Sequence, residues 1–326
     1  MKNICTVTLL LITSAHGFAQ NELHENRLDQ RVAGKLVERS YWTYVPESVA
    51  ENPALVVVLH GYSGSAINIA AYSGMNAVAD EAGFIVAYPQ GTIDAEGNAF
   101  FNVGYAFHQD VTVDDLDFVR QMIAELSQEH SVSPDQIYAT GMSNGGEMSY
   151  LLACRASSLF RAVAPVAGSM VGFSLQECSP ERPIPIFAIS GTDDPVTLYS
   201  GDLESVGGWG TYLGQDETIA YWARQYGLDQ RTSTALANPH KPILTGDSQI
   251  TWDRYSDDNL ATEIWFYRVV NGGHDWPGAK GTEWWRPSTY LGLMAMGFGK
   301  NHDIDASRDI WAFFSQWSER EKAVSQ

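Results

Sequence analysis

The feature that most constrains the fold is the regular alternation of short apolar runs with amphipathic helical segments. Residues 54–60 and 83–88 form apolar runs of strand length, which are typical of strands buried on both faces. Residues 115–129 instead repeat apolar side chains at helical spacing. Further strands are predicted at 136–140, 162–166, 184–190 and 263–270, and further helices around 219–226 and 310–317. Strands that alternate with helices predict a mostly parallel sheet covered by helices on both faces.

The N-terminal region has a different pattern. Residues 34–37 and 40–45 alternate apolar and polar side chains, which predicts an antiparallel hairpin added at one edge of the sheet. A chain of 326 residues fits either about two domains or one large α/β domain. Because the sequence contains no repeat, no low-complexity tract and no linker composition, we expect one domain from about residue 30 to 320.

The first 19 residues predict a secretory signal peptide. Lys2 supplies a positive charge, an apolar stretch covers residues 4–13, and Gly17 and Ala19 provide small side chains before a cleavage site. A transmembrane anchor would need about 20 apolar residues, which the rest of the chain does not offer. We therefore expect a protein secreted to the periplasm or the extracellular space, without a membrane anchor.

The cysteines predict a disulfide bond. Cys5 lies within the predicted signal peptide, so Cys154 and Cys178 remain as a pair in an oxidising compartment. The alternative is that both are buried free thiols.

Charge and metal-ligand spacing exclude several classes of partner. The 20 basic and 39 acidic residues give a net charge of −19, which argues against a nucleic acid or an anionic membrane surface. The acidic residues between 110 and 117 do not have the spacing of a calcium loop, and helix capping explains them better. No zinc spacing or phosphate-binding glycine loop is present, so we expect neither metal nor cofactor.

The strongest chemical signal is the pattern G-x-S-x-G at residues 141–145. The pattern alone is weak, but here it follows a predicted strand and precedes a helix-like segment. This is the context of a nucleophile elbow, a sharp turn that holds a serine above the carboxyl edge of a sheet. Ser143 is therefore the candidate nucleophile, and the alternative is an ordinary serine in a glycine-rich turn.

A serine nucleophile needs a base that a carboxylate orients, and both types of residue follow Ser143 at predicted strand ends. Asp193 and Asp194 come after the strand at 184–190, and His274 comes after the strand at 263–270. The order serine, aspartate, histidine is that of the α/β-hydrolases. The pattern alone leaves open which aspartate serves. It also leaves open that the aspartates cap turns and that the histidine lies on a surface loop.

An oxyanion hole in such a fold takes one backbone N–H from the residue after the nucleophile and another from an early loop. These criteria select Asn144 and Tyr62. His60, just before that loop, is expected to have a structural role.

Together these motifs resemble the secreted esterases that include polyhydroxybutyrate depolymerases and feruloyl and acetylxylan esterases, similar to carbohydrate esterase family 1. They are LHG at 59–61, YPQG at 88–91, DD at 114–115, GMSNG at 141–145, APVAG at 164–168, GTDDP at 191–195, GHDWPG at 273–278 and DAS at 305–307. The resemblance implies an α/β-hydrolase fold, assigns the acid to Asp194 and pairs Cys154 with Cys178. The segment at residues 62–64 departs from the family pattern.

We therefore expect a secreted serine carboxylic-ester hydrolase that acts through an acyl-enzyme on feruloyl or acetyl esters of plant-type polysaccharide or oligosaccharide. Trp276, next to the base, is expected to line the acyl pocket, whereas Trp209, Trp284 and Trp285 serve either a substrate ring or the core. A polyhydroxybutyrate depolymerase is the alternative enzyme, and a catalytically silent binding protein is the alternative without activity. The partner is an ester-bearing polymer or oligomer, and the sequence leaves the oligomeric state open.

Overall fold

A computed structural model describes residues 22–171, 178–237, 248–258, 261–279 and 301–324. Its strands are β1 (His24–Val32), β2 (Lys35–Tyr44), β3 (Leu55–Leu59), β4 (Ile85–Pro89), β5 (Thr92–Ile93), β6 (Ala99–Phe100), β7 (Ile137–Met142), β8 (Ala162–Val166), β9 (Ile186–Gly191), β10 (Gly201–Asp202), β11 (Tyr212–Leu213), β12 (Gln230–Ala235), β13 (Gln249–Ser256) and β14 (Ile264–Val270). Its α-helices are α1 (Ala66–Ser73), α2 (Met75–Ala82), α3 (Asp115–His130), α4 (Asn144–Arg155), α5 (Gln215–Tyr226) and α6 (Ala306–Val324). The predicted signal peptide lies outside the described residues.

Ten strands form one sheet in the order β1-β2-β4-β3-β7-β8-β9-β14-β13-β12. The six central strands, from β4 to β14, pair in parallel, and two antiparallel strands extend the sheet at each edge. The prediction of a mostly parallel sheet is therefore confirmed. Parallel strands end at the same edge of a sheet, so the loops after β7, β9 and β14 lie along one edge.

The sheet separates two apolar cores. Leu55, Val57 and Leu59 of β3 pack in a cluster with side chains of α3, α4 and α5. Val56 and Val58, which point to the opposite face, pack in a second cluster with side chains of α1, α2 and α6. The alternation along β3 thus confirms helices on both faces of the sheet. Among the described residues, no helix is long and apolar enough to cross a membrane.

The N-terminal edge hairpin is present, but its turn lies before the predicted one. Residues 34–45, predicted as both strands of the hairpin, contribute almost entirely to β2 alone, and β1 is the partner strand. Ala33 and Gly34 form the turn with φ values of 47° and 82°, as a two-residue hairpin turn with two positive φ angles requires. The sequence did not predict β1, because its nine residues include only two aliphatic side chains, Leu28 and Val32.

The opposite edge of the sheet carries two antiparallel strands, β13 and β12, that the sequence analysis missed. β12 pairs with β13, and all six residues of β12 are exposed. Its sequence, QRTSTA, has no apolar alternation, because a solvent-exposed edge strand needs none. β12 forms because it hydrogen-bonds to β13, and residues 230–235 alone do not predict that pairing.

The predicted disulfide is confirmed. Cys154, near the end of α4, is bonded to Cys178 across a sequence separation of 24 residues. Cys154 is buried in the core cluster that contains α4, so the bond ties this helix to the segment that precedes β9.

Replacing both cysteines with alanine is expected to lower the free energy of unfolding by about 3 kcal/mol, because the unfolded chain regains the entropy that the closed loop removes. Urea denaturation of the double variant and of the oxidised parent measures the difference. Alkylation of both cysteines in the unreduced parent would contradict the bond itself.

Candidate active site

Ser143 occupies the turn between β7 and α4, at the carboxyl end of the central strand. Its backbone has φ 57° and ψ −121°, a conformation that residues other than glycine rarely adopt. The turn is held on both sides: the N–H of Ser143 donates to the carbonyl of Val166 at 2.9 Å, and its carbonyl accepts from the N–H of Glu147 at 2.9 Å. This is the sharp strand-turn-helix geometry of a nucleophile elbow.

The glycines around the serine are required by close backbone approach. A Cβ atom at Gly141 would lie 2.6 Å from the backbone of Gly145. A Cβ atom at Gly145 would lie 2.2 Å from the carbonyl oxygen of Leu59 in β3. The elbow therefore packs directly against the neighbouring strand, with no room for a side chain at either position.

Replacing Gly145 with alanine is expected to lower the free energy of unfolding by about 3 kcal/mol, because the new methyl group collides with the backbone of β3. Gly227→Ala is the matched control, since that glycine has open space around it and a φ of 68°. The control is expected to cost about 1 kcal/mol through backbone strain alone. Thermal denaturation compares the two, and equal losses would contradict the collision.

His274 and Asp194 meet at the edge where β9 and β14 end. The Nδ1 atom of His274 lies 2.8 Å from the Oδ2 atom of Asp194, and both side chains are buried. A carboxylate only accepts hydrogen bonds, so Nδ1 carries the proton and Nε2 is left as the basic nitrogen. The other oxygen of Asp194 accepts the backbone N–H groups of Val196 and Thr197, each at 2.8 Å. The carboxylate is thereby fixed and in turn fixes the imidazole ring.

The neighbouring Asp193 is placed differently. Asp193 is exposed, whereas Asp194 retains only 5% of its accessible surface. The carboxylate of Asp193 accepts from the hydroxyl of Thr192 at 3.2 Å, and its N–H donates to the carbonyl of Gly272 at 2.8 Å. The tertiary structure thus pairs His274 with the second of the two adjacent aspartates.

The candidate oxyanion donors flank the serine. A Cβ atom on Gly61 would lie 3.3 Å from the Cβ of Ser143, so the peptide between Gly61 and Tyr62 borders this serine. The carbonyl of Gly61 accepts from Nδ1 of His60 at 2.7 Å and from the N–H of Gly64 at 2.9 Å. Because the C=O and N–H of one trans peptide point in opposite directions, these bonds direct the Tyr62 N–H away from them.

Asn144 carries the other candidate donor and makes a second contact. It is the first residue of α4, where backbone N–H groups have no acceptor within the helix. Its buried side chain accepts from the N–H of Phe101 at 2.7 Å and donates to the carbonyl of Phe101 at 3.0 Å. The amide therefore fastens the start of α4 to the segment after β6.

His60 has the structural environment expected from the sequence. Its Nε2 atom accepts the N–H of Gly91 at 2.9 Å, and its ring packs 4.7 Å from that of Phe101. Burial lowers the pKa of His60 to about 4, because the charged form is poorly solvated there. The ring therefore stays neutral and holds the loop that carries Tyr62.

Glu147 is a site residue that the sequence analysis missed. Its carboxylate accepts a hydrogen bond of 2.5 Å from the hydroxyl of Tyr105, and it lies one helical turn after Ser143. Burial raises the pKa of Glu147 to about 7. No local pattern indicated this contact, because Tyr105 lies 42 positions before Glu147 in the chain.

Trp276 requires a correction. The sequence analysis placed it in the acyl pocket, but the structure places it in the core, where it is 0% exposed. Its indole N–H donates to the hydroxyl of Ser307 at 3.1 Å, and its ring packs in the cluster that contains α6. The position of Trp276 next to His274 in the sequence did not predict where its side chain points, because successive loop residues point to different sides. Trp284 and Trp285 lie outside the described residues.

The aspartates near residue 114 are structural. The Asp114 carboxylate caps α3 by accepting the N–H of Asp117 at 3.0 Å. Asp115 forms a buried ion pair with Arg39 of β2. Within the described ranges, no group of three or more histidine, cysteine, aspartate or glutamate side chains has the arrangement of a metal site.

The sequence of this chain is similar to those of known esterases. The chain is 32% identical over 250 residues to the putative esterase NocK of Nocardia uniformis subsp. tsuyamanensis, and the match covers 74% of this chain and 70% of NocK. It is 33% identical over 177 residues to feruloyl esterase B of Piromyces equi, covering 53% of this chain and 32% of that enzyme. The chain thus spans about a third of the second relative's length.

The fold also matches a solved structure. An acetyl xylan esterase from Aspergillus awamori superposes with a TM-score of 0.54 at 16% identity, covering 84% of this chain and 99% of the other. The sheet and helices are those of an α/β-hydrolase, as expected. A family profile described as esterase PHB depolymerase matches residues 39–216, more than half of the chain. The chain therefore belongs to the esterase PHB depolymerase family.

Proposed function

We propose that this protein is a serine carboxylic-ester hydrolase that works through an acyl-enzyme. The observation that carries the proposal is the buried pair between His274 and Asp194, at the same edge of the sheet as the elbow of Ser143. These are the elements of a triad: a nucleophile, a base and a carboxylate that orients the base. A binding protein without activity would have no need for a buried and fully oriented histidine.

In the proposed reaction, Ser143 Oγ attacks the ester carbonyl while Nε2 of His274 takes the hydroxyl proton. The backbone N–H groups of Tyr62 and Asn144 stabilise the negative charge on the carbonyl oxygen. His274 then gives its proton to the departing alcohol, which leaves the acyl group on the serine. A water molecule then attacks this second ester while His274 takes one of its protons. The bond between the acyl carbon and Ser143 Oγ breaks, His274 returns the proton to Oγ, and the acid is released.

The proposed substrates are feruloyl or acetyl esters of plant-type polysaccharide or oligosaccharide. Tyr62, on the oxyanion loop, packs against Phe107 at 6.0 Å and Trp209 at 5.3 Å between ring centroids. Phe107 is 49% exposed, so an aromatic surface extends from the proposed site to solvent. Such a surface suits a sugar ring or a hydroxycinnamoyl group. The named feruloyl and acetyl xylan esterases that the chain resembles agree with this substrate class.

A polyester depolymerase is the second candidate, and it rests on exposed aliphatic side chains. Leu198, Leu203 and Val206 are 39%, 66% and 82% exposed, and they belong to the segment that connects Asp194 with Trp209. Exposed aliphatic side chains suit contact with an apolar polymer surface.

An ester panel tests the proposal and separates the two candidates. The wild-type protein is assayed with methyl ferulate, acetylated xylan, nitrophenyl acetate and polyhydroxybutyrate granules, and Ser143→Ala serves as the inactive control. We expect turnover of the soluble and polysaccharide esters, with little clearing of granules. Rapid clearing of granules without hydrolysis of methyl ferulate or acetylxylan would favour the depolymerase, and no hydrolysis of any ester would refute both.

We also propose that the chain is secreted after removal of residues 1–19 and that a single catalytic domain follows. The support is the charge, apolar stretch and small residues of the N-terminal segment. N-terminal sequencing of the exported protein is expected to begin at Gln20, and a mature protein that begins at Met1 would contradict the proposal.

A further inference from the structure

Glu147 shares the exposed side of the elbow with Ser143. Between residues 141 and 154, Ser143 and Glu147 are partly exposed, and every other residue is buried. The N–H of Glu147 donates to the carbonyl of Ser143 at 2.9 Å, which places Glu147 in the first turn of α4, directly after the elbow. The one acidic residue of this helical segment therefore reaches the surface beside the proposed nucleophile.

Tyr105 connects this carboxyl group to the aromatic surface. Its hydroxyl donates to Oε2 of Glu147, and its ring lies 6.2 Å from that of Tyr62 and 5.1 Å from that of Trp209. Phe107 completes the cluster, with its ring centroid 5.3 Å from that of Tyr105. We name these four aromatic residues the ring cluster. The carboxyl groups of Asp94 and Glu147 border the ring cluster: Asp94 accepts the hydroxyl of Tyr62, and Glu147 lies at the border with the elbow.

This combination has a specific chemical meaning. Aromatic faces pack against flat or sugar rings, and above its pKa of about 7 Glu147 is a carboxylate, which offers only hydrogen-bond acceptors. The hydroxyl of Tyr105 contacts one oxygen of Glu147, and a carboxylate with about four acceptor positions has capacity for another donor. A substrate with an apolar ring and a hydroxyl group on that ring satisfies both features, whereas a substrate with an acidic ring substituent would be repelled.

We propose that Glu147 is a specificity-determining residue that accepts a hydrogen bond from a hydroxyl group on the ring of the substrate. This inference rests on the proposed esterase function and names the substrate feature that the site selects. The hydroxyl belongs either to a hydroxycinnamoyl acyl group or to the sugar that bears the ester, and both present the same donor. A site that pairs with a substrate hydroxyl discriminates strongly against the analogue in which that hydroxyl is blocked.

The experiment measures a ratio within each variant. For the acyl source, kcat/KM is measured with methyl ferulate and with its analogue in which the phenolic hydroxyl is methylated. For the sugar source, it is measured with an acetylated xylose glycoside and with the same compound whose remaining hydroxyls are methylated. In Glu147→Gln, Tyr105 keeps its acceptor while an amide NH2 group replaces the second oxygen, so the site loses an acceptor and gains a donor.

For each pair of substrates, the measured quantity is kcat/KM for the hydroxylated compound divided by kcat/KM for its methylated analogue. We expect Glu147→Gln to lower this ratio by about tenfold or more in one of the two pairs, and that pair identifies the hydroxyl that Glu147 binds. Glu125→Gln is the matched control, since Glu125 on α3 also accepts from a tyrosine, the hydroxyl of Tyr41 at 3.0 Å. The control is expected to keep both ratios. Glu147→Met, which removes both oxygens, is expected to show the same loss and replaces the first variant if that one does not fold.

Unchanged ratios in both sources, or an equal fall in Glu125→Gln, would overturn the inference. These outcomes differ from a failure of the proposed function. If the wild-type protein hydrolyses esters and Ser143→Ala does not, unchanged ratios refute the role of Glu147 alone. If the wild-type protein hydrolyses none of the esters, the esterase proposal fails first.

Discussion

Ser143→Ala is expected to lower kcat/KM for nitrophenyl acetate on the order of 10⁴-fold or more, because the variant has no hydroxyl to form the acyl-enzyme. The fold should persist. The constraints on the elbow are backbone contacts: the N–H of residue 143 bonds to Val166, and the glycines pack against β3. Alanine at this position keeps those contacts and removes a single oxygen atom.

The measurement combines steady-state kinetics with thermal denaturation. A melting temperature close to that of the wild-type protein shows that lost activity reflects lost chemistry. A matched control is Ser149→Ala, which removes the hydroxyl of another serine on α4, one that donates to the carbonyl of Gly145 at 2.8 Å. We expect this control to keep most of its activity. Retention of more than about a tenth of the wild-type activity by Ser143→Ala would remove the serine from the mechanism.

Asp194→Asn is expected to lower kcat/KM by about 10³- to 10⁴-fold. The amide can place an NH2 group toward His274, and the imidazole then presents its unprotonated Nδ1 atom to that donor and carries its proton on Nε2. A proton on Nε2 prevents this nitrogen from accepting the serine proton. The loss should appear in kcat, since the contact at 2.8 Å lies behind the base.

Asp193→Asn is the matched control for the adjacent position. Asp193 is exposed and bonds to the hydroxyl of Thr192 on the loop, so its replacement should change kcat/KM by less than about threefold. Both variants remove one negative charge from the same loop, so general electrostatic effects are shared between them. A larger loss in Asp193→Asn than in Asp194→Asn would move the orienting carboxylate by one residue.

Local sequence patterns determined the core of the fold. Apolar runs such as β3 predict strands buried on both faces, and the helical spacing in α3 predicts a helix close to its observed bounds, Asp115–His130. The glycines around Ser143 predict a tight turn because only they fit where backbones approach within van der Waals distance. Periodicity and turn-forming residues involve only residues that are close in the sequence, so the sequence is sufficient to predict these elements.

Other features depend on contacts between distant segments. Two adjacent aspartates stand at 193 and 194, and the residues alone do not separate them; the family resemblance assigns the acid to Asp194, and the buried loop pairs that carboxylate with His274. Likewise β12 exists because β13 offers it a hydrogen-bonding edge, although its own residues are polar.

Trp276 was predicted to lie at the site and lies in the core, whereas Glu147 was not predicted and lies beside Ser143. Hydrophobicity and adjacency to the base favoured the tryptophan as a pocket residue, yet packing against α6 took it into the core. The charge of Glu147 said nothing about its surroundings until the fold brought Tyr105 to it across 42 positions of the chain. Periodicity and turn residues along the chain place the strand ends and the sharp turns. Which side chains face one another follows from tertiary packing, because burial and hydrogen-bond partners arise only when distant segments pack together.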